Sequence, residues 1–274
     1  MTEPQRQDLA VFSDRSLISK HLFQAKEGHF SILVTSTQAT QPPWLLNSYI
    51  ETLVTGTPRS LGSTVSNMDH VRSHPVTIAS LAHEERFFTS ALQKLKVDSK
   101  SYRVVDLLSN FVLKNHGKPV DKILAYIVNL FPNEPQSSTI ILEQPELLLS
   151  LLEGLDSKEL RSKLILPLRR RCKLLIVSVS VHYFHYSADD ERYNEEPLDQ
   201  VVELRRFFMN LMYDSIAVLG LRPLDTGFSK EVTGKLSISK GGKRMRDVPD
   251  EDLHVVENEL FYLCDKDSVR LFYK

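Results

Sequence analysis

Hydroxyl-bearing residues follow the first strongly apolar stretch of the chain, where a nucleotide-binding α/β protein would hold phosphate. The loop reads TSTQATQPP over residues 35–43. A phosphate loop of the pattern GxxxxGK followed by Ser or Thr uses glycines for close backbone approach and a lysine for positive charge. This loop has no glycine and no lysine, and its two prolines lack N–H donors. The sequence therefore predicts a degenerate nucleotide loop, and its candidate side chains, most simply solvated, are Ser36, Thr37, Gln38 and Thr40.

One acidic residue, Glu143, ends the fourth apolar stretch, STIILE. Enzymes with a phosphate loop place an acidic group at that point, near the bound magnesium. Because this chain has no ordinary loop to hold phosphate, we predict a structural role for Glu143 as an acceptor of hydrogen bonds from the following turn. The alternative is an active nucleotide hydrolase with a non-standard loop, with Thr35, Ser36 or Thr37 near phosphate. Phosphoryl transfer needs charge neutralisation that this loop does not supply, which disfavours the alternative.

Other catalytic patterns are absent from the sequence. It contains no GxGxxG, GxSxG or HExxH motif, so dinucleotide binding, serine-hydrolase and zinc-protease chemistry have no support. Cys172 and Cys264 lack metal-ligand spacing, which is typical of buried thiols in a reducing compartment, with a disulfide as the less favoured alternative. His182 and His185 would need a third ligand to bind a metal and are predicted to be solvated. We therefore expect no metal and no cofactor.

Four cations lie in the segment KGGKRMR, between two predicted strands. They are Lys240, Lys243, Arg244 and Arg246. A flexible tip that contains glycine can adapt to phosphates without regular structure, so these residues are a possible phosphate contact. The acidic residues among 247–252 would offset part of the field, and no aromatic side chain accompanies the cluster to stack on bases. A second cluster, Arg169–Arg171, is most simply explained by the favourable placement of cations at a helix C-terminus.

The elements that must position these residues alternate between strand and helix. Strand patterns that begin at His29, Pro75, Tyr102, Ser138 and Cys172 are each followed by a helical pattern. Beyond Asp214 the pattern becomes alternating, and four further strands, all predicted to be antiparallel, are separated by turn residues. This indicates an α/β fold with an open, twisted, mostly parallel sheet, helices on both faces and an antiparallel C-terminal extension.

We predict a single domain over residues 1–274, with a short N-terminal extension, about 1–25, and a β-rich C-terminal part, about 214–274. The terminal strand VRLFYK is expected to leave an open sheet edge that suits pairing with a partner. Lys and Arg total 34 against 35 Asp and Glu, so any surface for nucleic acid must be local. No apolar run reaches the roughly 18 residues of a membrane span, and the N-terminus has no secretory pattern. We expect a protein of the cytoplasm and nucleus with no membrane partner.

Several stretches resemble the family of the sixth subunit of the Elongator complex. They read QRQDLAVFSD near the start, EQPELLLSLLEGL after the fourth strand, TGFSKEVTGKLSISKGG, and LHVVENELFYL with the terminal RLFYK. The resemblance runs nearly end to end. It implies a RecA-like fold and assembly with the related subunits four and five into a hetero-hexameric ring, two copies of each, beside the remaining Elongator subunits. The first loop agrees with it, since this family is regarded as lacking the ordinary phosphate loop.

The resemblance also implies a function. The ring binds tRNA and serves the modification of uridine at the wobble position of the anticodon, while the radical chemistry and acetyl transfer belong to another subunit. This chain is then expected to be a non-catalytic, pseudo-ATPase subunit that acts in assembly and tRNA binding, with Lys240, Lys243, Arg244 and Arg246 as the possible tRNA contact. Arg205 and Arg206 are candidates for reaching into a neighbour's nucleotide pocket, although an ordinary helix face is the simpler interpretation.

Overall fold

The computed structural model describes residues 6–40, 42–62, 74–109, 115, 117–181, 199–227, 229–246, 248–265 and 268–273. Within these ranges ten strands form one sheet. The strands are β1 (Arg6–Gln7), β2 (Phe30–Ser36), β3 (Val76–Ser80), β4 (Tyr102–Asp106), β5 (Thr139–Glu143), β6 (Leu174–Ser180), β7 (Ala217–Arg222), β8 (Gly234–Lys240), β9 (Asn258–Cys264) and β10 (Val269–Tyr273). The α-helices are α1 (Lys20–Gln24), α2 (Pro43–Thr55), α3 (Glu85–Lys94), α4 (Val120–Asn129), α5 (Leu147–Leu151), α6 (Ser157–Leu160), α7 (Leu166–Arg171) and α8 (Asp199–Asp214).

The strand order across the sheet is β1-β10-β9-β8-β7-β2-β6-β5-β3-β4. The strands from β7 to β4 in this order are parallel, and β8, β9, β10 and β1 continue the sheet in antiparallel pairs. The predicted mostly parallel sheet with an antiparallel C-terminal part is confirmed. The prediction that β7 is antiparallel holds for its pairing with β8 but is wrong for its pairing with β2, which is parallel. Helix α8 provides the crossover that a parallel neighbour requires, and most of β7 is buried.

Helices cover both faces of the sheet, as predicted. Every residue of β2 is buried, and successive side chains enter opposite cores. Ile32 and Val34 pack with α2 and α3, whereas Leu33 packs with α4 and α8. The continuous apolar run of a central parallel strand follows from this burial on both sides.

The strand β10 is not the open edge that the sequence predicted. Its outer side pairs with β1, where Gln7 lies opposite Leu271. The segment after β1 then enters the core, and its largest apolar side chains, Leu9, Val11, Phe12, Leu17, Ile18 and Leu22, are almost fully buried. An isolated bridge joins Phe12 to Val255. The N-terminal segment therefore seals the antiparallel side of the domain.

The predicted helices lie close to their expected bounds. The patterns at 83–95, 119–131 and 198–212 correspond to α3, α4 and α8, with ends shifted by one or two residues. Helices α6 and α7 are joined by a π-helical turn at Arg161–Ile165, just before Pro167. The predicted loop at 185–196, with His182 and His185 near it, lies outside the described residues, as does most of the predicted loop at 55–74.

The two groups of candidate residues lie at opposite ends of the parallel strands. We call these two sides of the sheet its C-terminal edge and its N-terminal edge. The first loop follows the C-terminal end of β2, and Glu143 is the last residue of β5. Strand β8 runs antiparallel to β7 and pairs Lys240 with Ala217, so the basic segment lies where the parallel strands begin. Six residue steps along β2 separate the edges by roughly 20 Å.

Candidate functional site

The first loop is closed by hydrogen bonds between its own hydroxyl groups. The Oγ1 atoms of Thr37 and Thr40 lie 2.8 Å apart, and Thr37 N–H donates to Thr40 Oγ1 at 3.2 Å. Thr40 Oγ1 in turn donates to the carbonyl of Leu221 at 3.0 Å, which ties the loop to β7. The polar groups that a sequence pattern offers to phosphate are therefore used to fold the loop.

Most of the candidate side chains of the first loop are also buried. Ser36, Thr37 and Thr40 are 3%, 6% and 2% exposed, and only Gln38 among the candidate residues of the loop is exposed to solvent. The interpretation of these hydroxyls as solvated is wrong. They are buried because Thr40 reaches under the end of β7 and because the carbonyl of Ser36 accepts from Val181 N–H at 2.8 Å.

Glu143 is fully buried and accepts two hydrogen bonds on one oxygen. Ser80 Oγ donates to Glu143 Oε2 at 2.5 Å, and His83 Nδ1 lies 2.9 Å from the same atom. The hydrogen bond from His83 to this carboxylate raises the pKa of His83. The donors are the last residue of β3 and a residue of the loop after it, and not the turn after Glu143, so the predicted source of these hydrogen bonds is wrong. Strand β3 lies directly beside β5, which is why its loop reaches the carboxylate first.

A second buried acid, Glu146, extends this arrangement. Its Oε1 accepts from Ser180 N–H at 2.7 Å, at the end of β6. Burial raises the pKa of Glu146 to about 8, and the nearby Glu143 charge adds to the shift, so the folded state favours the protonated form of Glu146. Glu143 Oε1, Glu146 Oε2 and Ser178 Oγ are buried without a hydrogen-bond partner in the described chain. We name Ser80, His83, Glu143, Glu146 and Ser178 the carboxylate cluster.

The geometry of the carboxylate cluster suits holding a loop more than activating a nucleophile. Ser80 Oγ donates to Glu143 and not to His83, so the imidazole has no hydroxyl to deprotonate. Ser80 Oγ also accepts from the N–H groups of Ala82 and His83 at 3.0 and 2.7 Å, which fixes the turn before α3. No group of three or more His, Cys, Asp and Glu among the described residues could hold a metal ion.

The basic segment after β8 is docked on the turn between α8 and β7. Gly241 N–H donates to the carbonyl of Ile216 at 2.9 Å, and Gly242 N–H donates to that of Met212 at 3.0 Å. A Cβ atom on Gly241 would lie 1.9 Å from the carbonyl oxygen of Ser215, so only glycine allows this approach. The start of the segment is therefore held in place, which differs from the flexible tip that the sequence predicted.

A cleft of about 520 Å³ opens beside this docked segment, and we name it the basic cleft. Its lining residues are Gly28, Phe30, Gly242, Lys243, Arg244 and Arg246. Lys243 Nζ donates to the carbonyl of His29 and lies 5.9 Å from the centre of the Phe30 ring. Burial lowers the pKa of Lys243 to about 8, and Arg169 adds to the lowering. Lys243 therefore holds the cleft together.

The remaining cations of the segment face solvent. Lys240, Arg244 and Arg246 are exposed, and Met245 between the two arginines packs against the core. No described residue forms an ion pair with their side chains. The electrostatic effect of Arg169 on Lys243 shows that the cluster at the end of α7 lies near the same edge. There Arg161 and Arg169 are both paired with Asp214, while Arg170 is exposed.

Sequence reasoning missed three residues that shape these sites. Glu146 and His83 complete the carboxylate cluster, and Phe30 forms the floor of the basic cleft. Glu146 had a signal, since it is an acid within the apolar run ILEQPELLL. Phe30 had none, because its contact with Lys243 joins residues far apart in the chain. Arg206 pairs with Glu203 of its own helix at 2.6 Å, in agreement with an ordinary helix face.

Comparisons with known proteins bear on the fold. The flagellar accessory protein FlaH from Methanocaldococcus jannaschii superposes with a TM-score of 0.52 over 94% of this chain and 98% of its own, at 11% identity. A KaiC-like protein from Pyrococcus horikoshii OT3 is also 11% identical, with a TM-score of 0.45 over 98% of this chain and 100% of its own. The superposition with FlaH confirms the RecA-like fold. In the described residues, no helix has the length and apolar character to cross a membrane.

Comparisons of sequence bear on the family. No protein-family model matches the chain. Elongator complex protein 6 from Saccharomyces cerevisiae is 42% identical over 281 residues, and the match covers 100% of each chain. The sequence resemblance first noted in four separate stretches thus extends over the whole length, and the chain belongs to the family of Elongator complex protein 6.

Proposed function

We propose that this chain is a non-catalytic subunit of the RecA-like hetero-hexameric ring that it forms with Elongator subunits four and five. In that ring it acts in assembly and in binding tRNA for wobble-uridine modification, in the cytoplasm and nucleus. Membership of the Elongator protein 6 family supports the assembly. The observation that carries the tRNA contact is the basic segment, where Arg244 and Arg246 are exposed at the basic cleft and Lys240 is exposed at the end of β8.

The exposed cations fit a phosphate backbone better than a base edge. Arg244 and Arg246 alternate with the anchored Met245, so both guanidinium groups are presented on one side of the segment. Guanidinium groups bind phosphate through two parallel hydrogen bonds. Phe30 is nearly fully buried under Lys173 and Lys243 and offers no free ring face to a base. We therefore propose a contact with phosphates, which positions tRNA without reading its sequence.

The non-catalytic role is supported by the other edge of the sheet. The hydroxyls of Thr37 and Thr40 are bonded to each other and to β7, and Glu143 is bonded to Ser80 and His83. Phosphoryl transfer needs charge neutralisation and phosphate positioning at this place. The described part of the first loop contributes no cation, and the hydroxyls of Thr37 and Thr40 are already bonded, so we do not propose the alternative of an active hydrolase.

Exposed apolar side chains support packing on two neighbours. Phe87 on α3 and Tyr126 on α4 are 40% and 43% exposed. Met209 and Tyr213 on α8 are 46% and 67% exposed. Large apolar side chains in such positions are typical of protein interfaces. Native mass spectrometry of this chain co-expressed with subunits four and five should give a mixed hexamer, and a chain that stays apart would contradict the assembly.

The tRNA contact is tested in the assembled ring by replacing Lys240, Arg244 and Arg246 together with Ala. We expect about 10-fold to 100-fold weaker tRNA binding and a flatter salt dependence, because each lost phosphate contact removes about 0.7 to 0.9 from the log–log slope. Fluorescence anisotropy of labelled tRNA over a range of salt concentrations measures both quantities. Native mass spectrometry of the variant ring checks that assembly is unchanged.

A matched control removes three exposed lysines elsewhere, at Lys100, Lys122 and Lys158. It changes the net charge equally and is expected to leave the salt slope unchanged. Equal losses in both variants would mean that overall charge, and not the basic cleft, attracts tRNA. An unchanged affinity in the first variant would reject the cleft as a contact.

A further inference from the structure

A tyrosine at the end of α8 lies beside the basic cleft. Tyr213 follows Met212, whose carbonyl accepts from Gly242 N–H at 3.0 Å. Gly242 is a lining residue of the basic cleft, and a Cβ atom there would lie 2.9 Å from Tyr213 Cδ1. The phenol ring therefore lies against the glycine, in the space that a side chain on residue 242 would fill. The contact that docks the basic segment thus also brings an aromatic side chain to it.

The phenol ring of Tyr213 is open to solvent. Tyr213 is 67% exposed, the largest fraction among the large apolar side chains of the described residues. Within the same residues, no aromatic ring and no cation is stacked on it. An exposed tyrosine can stack on any nucleotide base, because every base has a π face. Tyr213 therefore supplies the stacking side chain that residues 240–246 lack.

The charges around Tyr213 favour an anionic ligand. The next residue, Asp214, accepts hydrogen bonds from Arg161 at 2.7 and 3.0 Å. Its carboxylate also lies 3.4 Å from Arg169 Nη1. Two arginines on one carboxylate leave a net positive charge, so Asp214 does not repel phosphate from this place. Arg244 is exposed in the adjoining cleft. A strand with one base on Tyr213 would therefore meet cations with its neighbouring phosphates.

We infer that Tyr213 stacks on an unpaired base of the RNA whose phosphates contact Arg244 and Arg246. The inference rests on the proposed tRNA contact and adds to it the class of nucleotide that binds. In an A-form helix the bases are paired and stacked on one another, whereas the bases of loops and single-stranded ends can turn outward onto a protein side chain. The site therefore takes single-stranded RNA in preference to a duplex, without selecting a base.

A neighbouring subunit is the other candidate to cover Tyr213, since exposed apolar side chains also pack at protein interfaces. The centres of protein interfaces are depleted of charged residues. Tyr213 instead lies beside a cleft that is lined by Lys243, Arg244 and Arg246. These surroundings fit the phosphates and bases of RNA better than an apolar partner surface.

The experiment compares a single-stranded oligouridine with a blunt-ended RNA duplex. Both are titrated into the hexameric ring and, separately, into the chain alone, and fluorescence anisotropy measures binding. Tyr213→Ala should bind the single strand about tenfold more weakly, the effect of one lost stacking contact, and the duplex as the wild type does. The salt slope should be unchanged, because no cation is removed. Tyr213→Phe keeps the aromatic ring and should keep both affinities.

Tyr273→Ala is the matched control, because Tyr273 on β10 is also 63% exposed, and it should bind both RNAs as the wild type does. Unchanged binding of the single strand by Tyr213→Ala, or equal losses for the two RNAs, would overturn the inference. A variant that no longer assembles would also overturn it, since Tyr213 would then contact a neighbour. Replacing Lys240, Arg244 and Arg246 with Ala tests the phosphate contact separately. That variant should lose both RNAs, and normal binding of both would reject the contact whatever Tyr213→Ala shows.

Discussion

The two edges of the parallel strands use polar residues in opposite ways. At the C-terminal edge, Thr37, Thr40 and Glu143 are buried and bonded to their own chain. At the N-terminal edge, Arg244 and Arg246 are exposed at the basic cleft, and Lys240 is exposed at the end of β8. Open α/β sheets ordinarily bind ligands at the C-terminal edge. In this chain the internal bonds there leave little for a phosphate, and the charge available to an anion lies at the other edge.

The largest expected loss of stability comes from disturbing the docking of the basic segment. Gly241→Ala places a Cβ atom 1.9 Å from the carbonyl oxygen of Ser215, a backbone atom that no side-chain rotation can move. We expect the free energy of unfolding to fall by about 3 kcal/mol. Urea denaturation followed by circular dichroism measures this change. In the ring, tRNA affinity should fall as well, because the segment can no longer hold the edge of the basic cleft.

The control for this substitution is Gly154→Ala. Gly154 has a φ of +78° but open space around its Cβ position, so alanine there meets backbone strain and no clash. The strain should cost about 1 to 2 kcal/mol and leave tRNA affinity unchanged. If the two substitutions lowered the free energy of unfolding equally, the clash of the new Cβ atom with Ser215 would not explain the loss at Gly241.

A smaller loss of stability is expected when the hydrogen bonds that close the first loop are removed. Thr40→Val keeps the shape of the side chain but leaves the carbonyl of Leu221 and the N–H of Thr37 without their partner. We expect a loss of about 2 kcal/mol in the free energy of unfolding. Gln38→Ala, in the exposed part of the same loop, should change stability by less than about 0.5 kcal/mol.

The comparison of the two edges also predicts that Thr40→Val leaves tRNA binding unchanged. The ring that carries it should bind tRNA as the unmodified ring does, because the loop lies roughly 20 Å from the basic cleft. Weaker tRNA binding with unchanged stability would show that the hydroxyls of the loop contact RNA, against the role assigned to them here.

The sequence was sufficient for features that depend on local pattern. The alternation of buried strands and amphipathic helices predicted the parallel sheet, and the position of Glu143 at the end of its strand predicted where its carboxylate lies. Both follow from residues close together in the chain. The same is true of the missing phosphate loop, which is visible in residues 35–43 alone.

Features that depend on distant partners were predicted wrongly or missed. The direction of β7 depends on its pairing with β2, and the edge at β10 depends on β1 at the other end of the chain. The two glycines after Lys240 indicated flexibility in the sequence, whereas contact with the turn after α8 fixes them. Local pattern gives the elements, but it does not say which strand or turn lies against them.

The last effect, which is the smallest within any single pH unit, concerns the charge state of the carboxylate cluster. Burial raises the pKa of Glu146 to about 8, whereas the unfolded chain has the ordinary value of about 4.5. Between these values the folded protein holds a proton that the unfolded chain releases. Stability should therefore fall as pH rises through this window, by up to about 1.4 kcal/mol per pH unit. Denaturation in urea at intervals between pH 5 and pH 8 measures the slope.

Glu146→Gln isolates this group, because glutamine keeps the shape of the protonated acid and cannot titrate. The slope of the variant should be shallower than that of the wild type by up to about 1.4 kcal/mol per pH unit. His83 remains in the variant, and its raised pKa acts in the same direction, since the stability from its bond to Glu143 is lost as pH rises above about 6.5. A residual slope is therefore expected. Identical slopes for the two proteins would show that Glu146 is already ionised in the folded state.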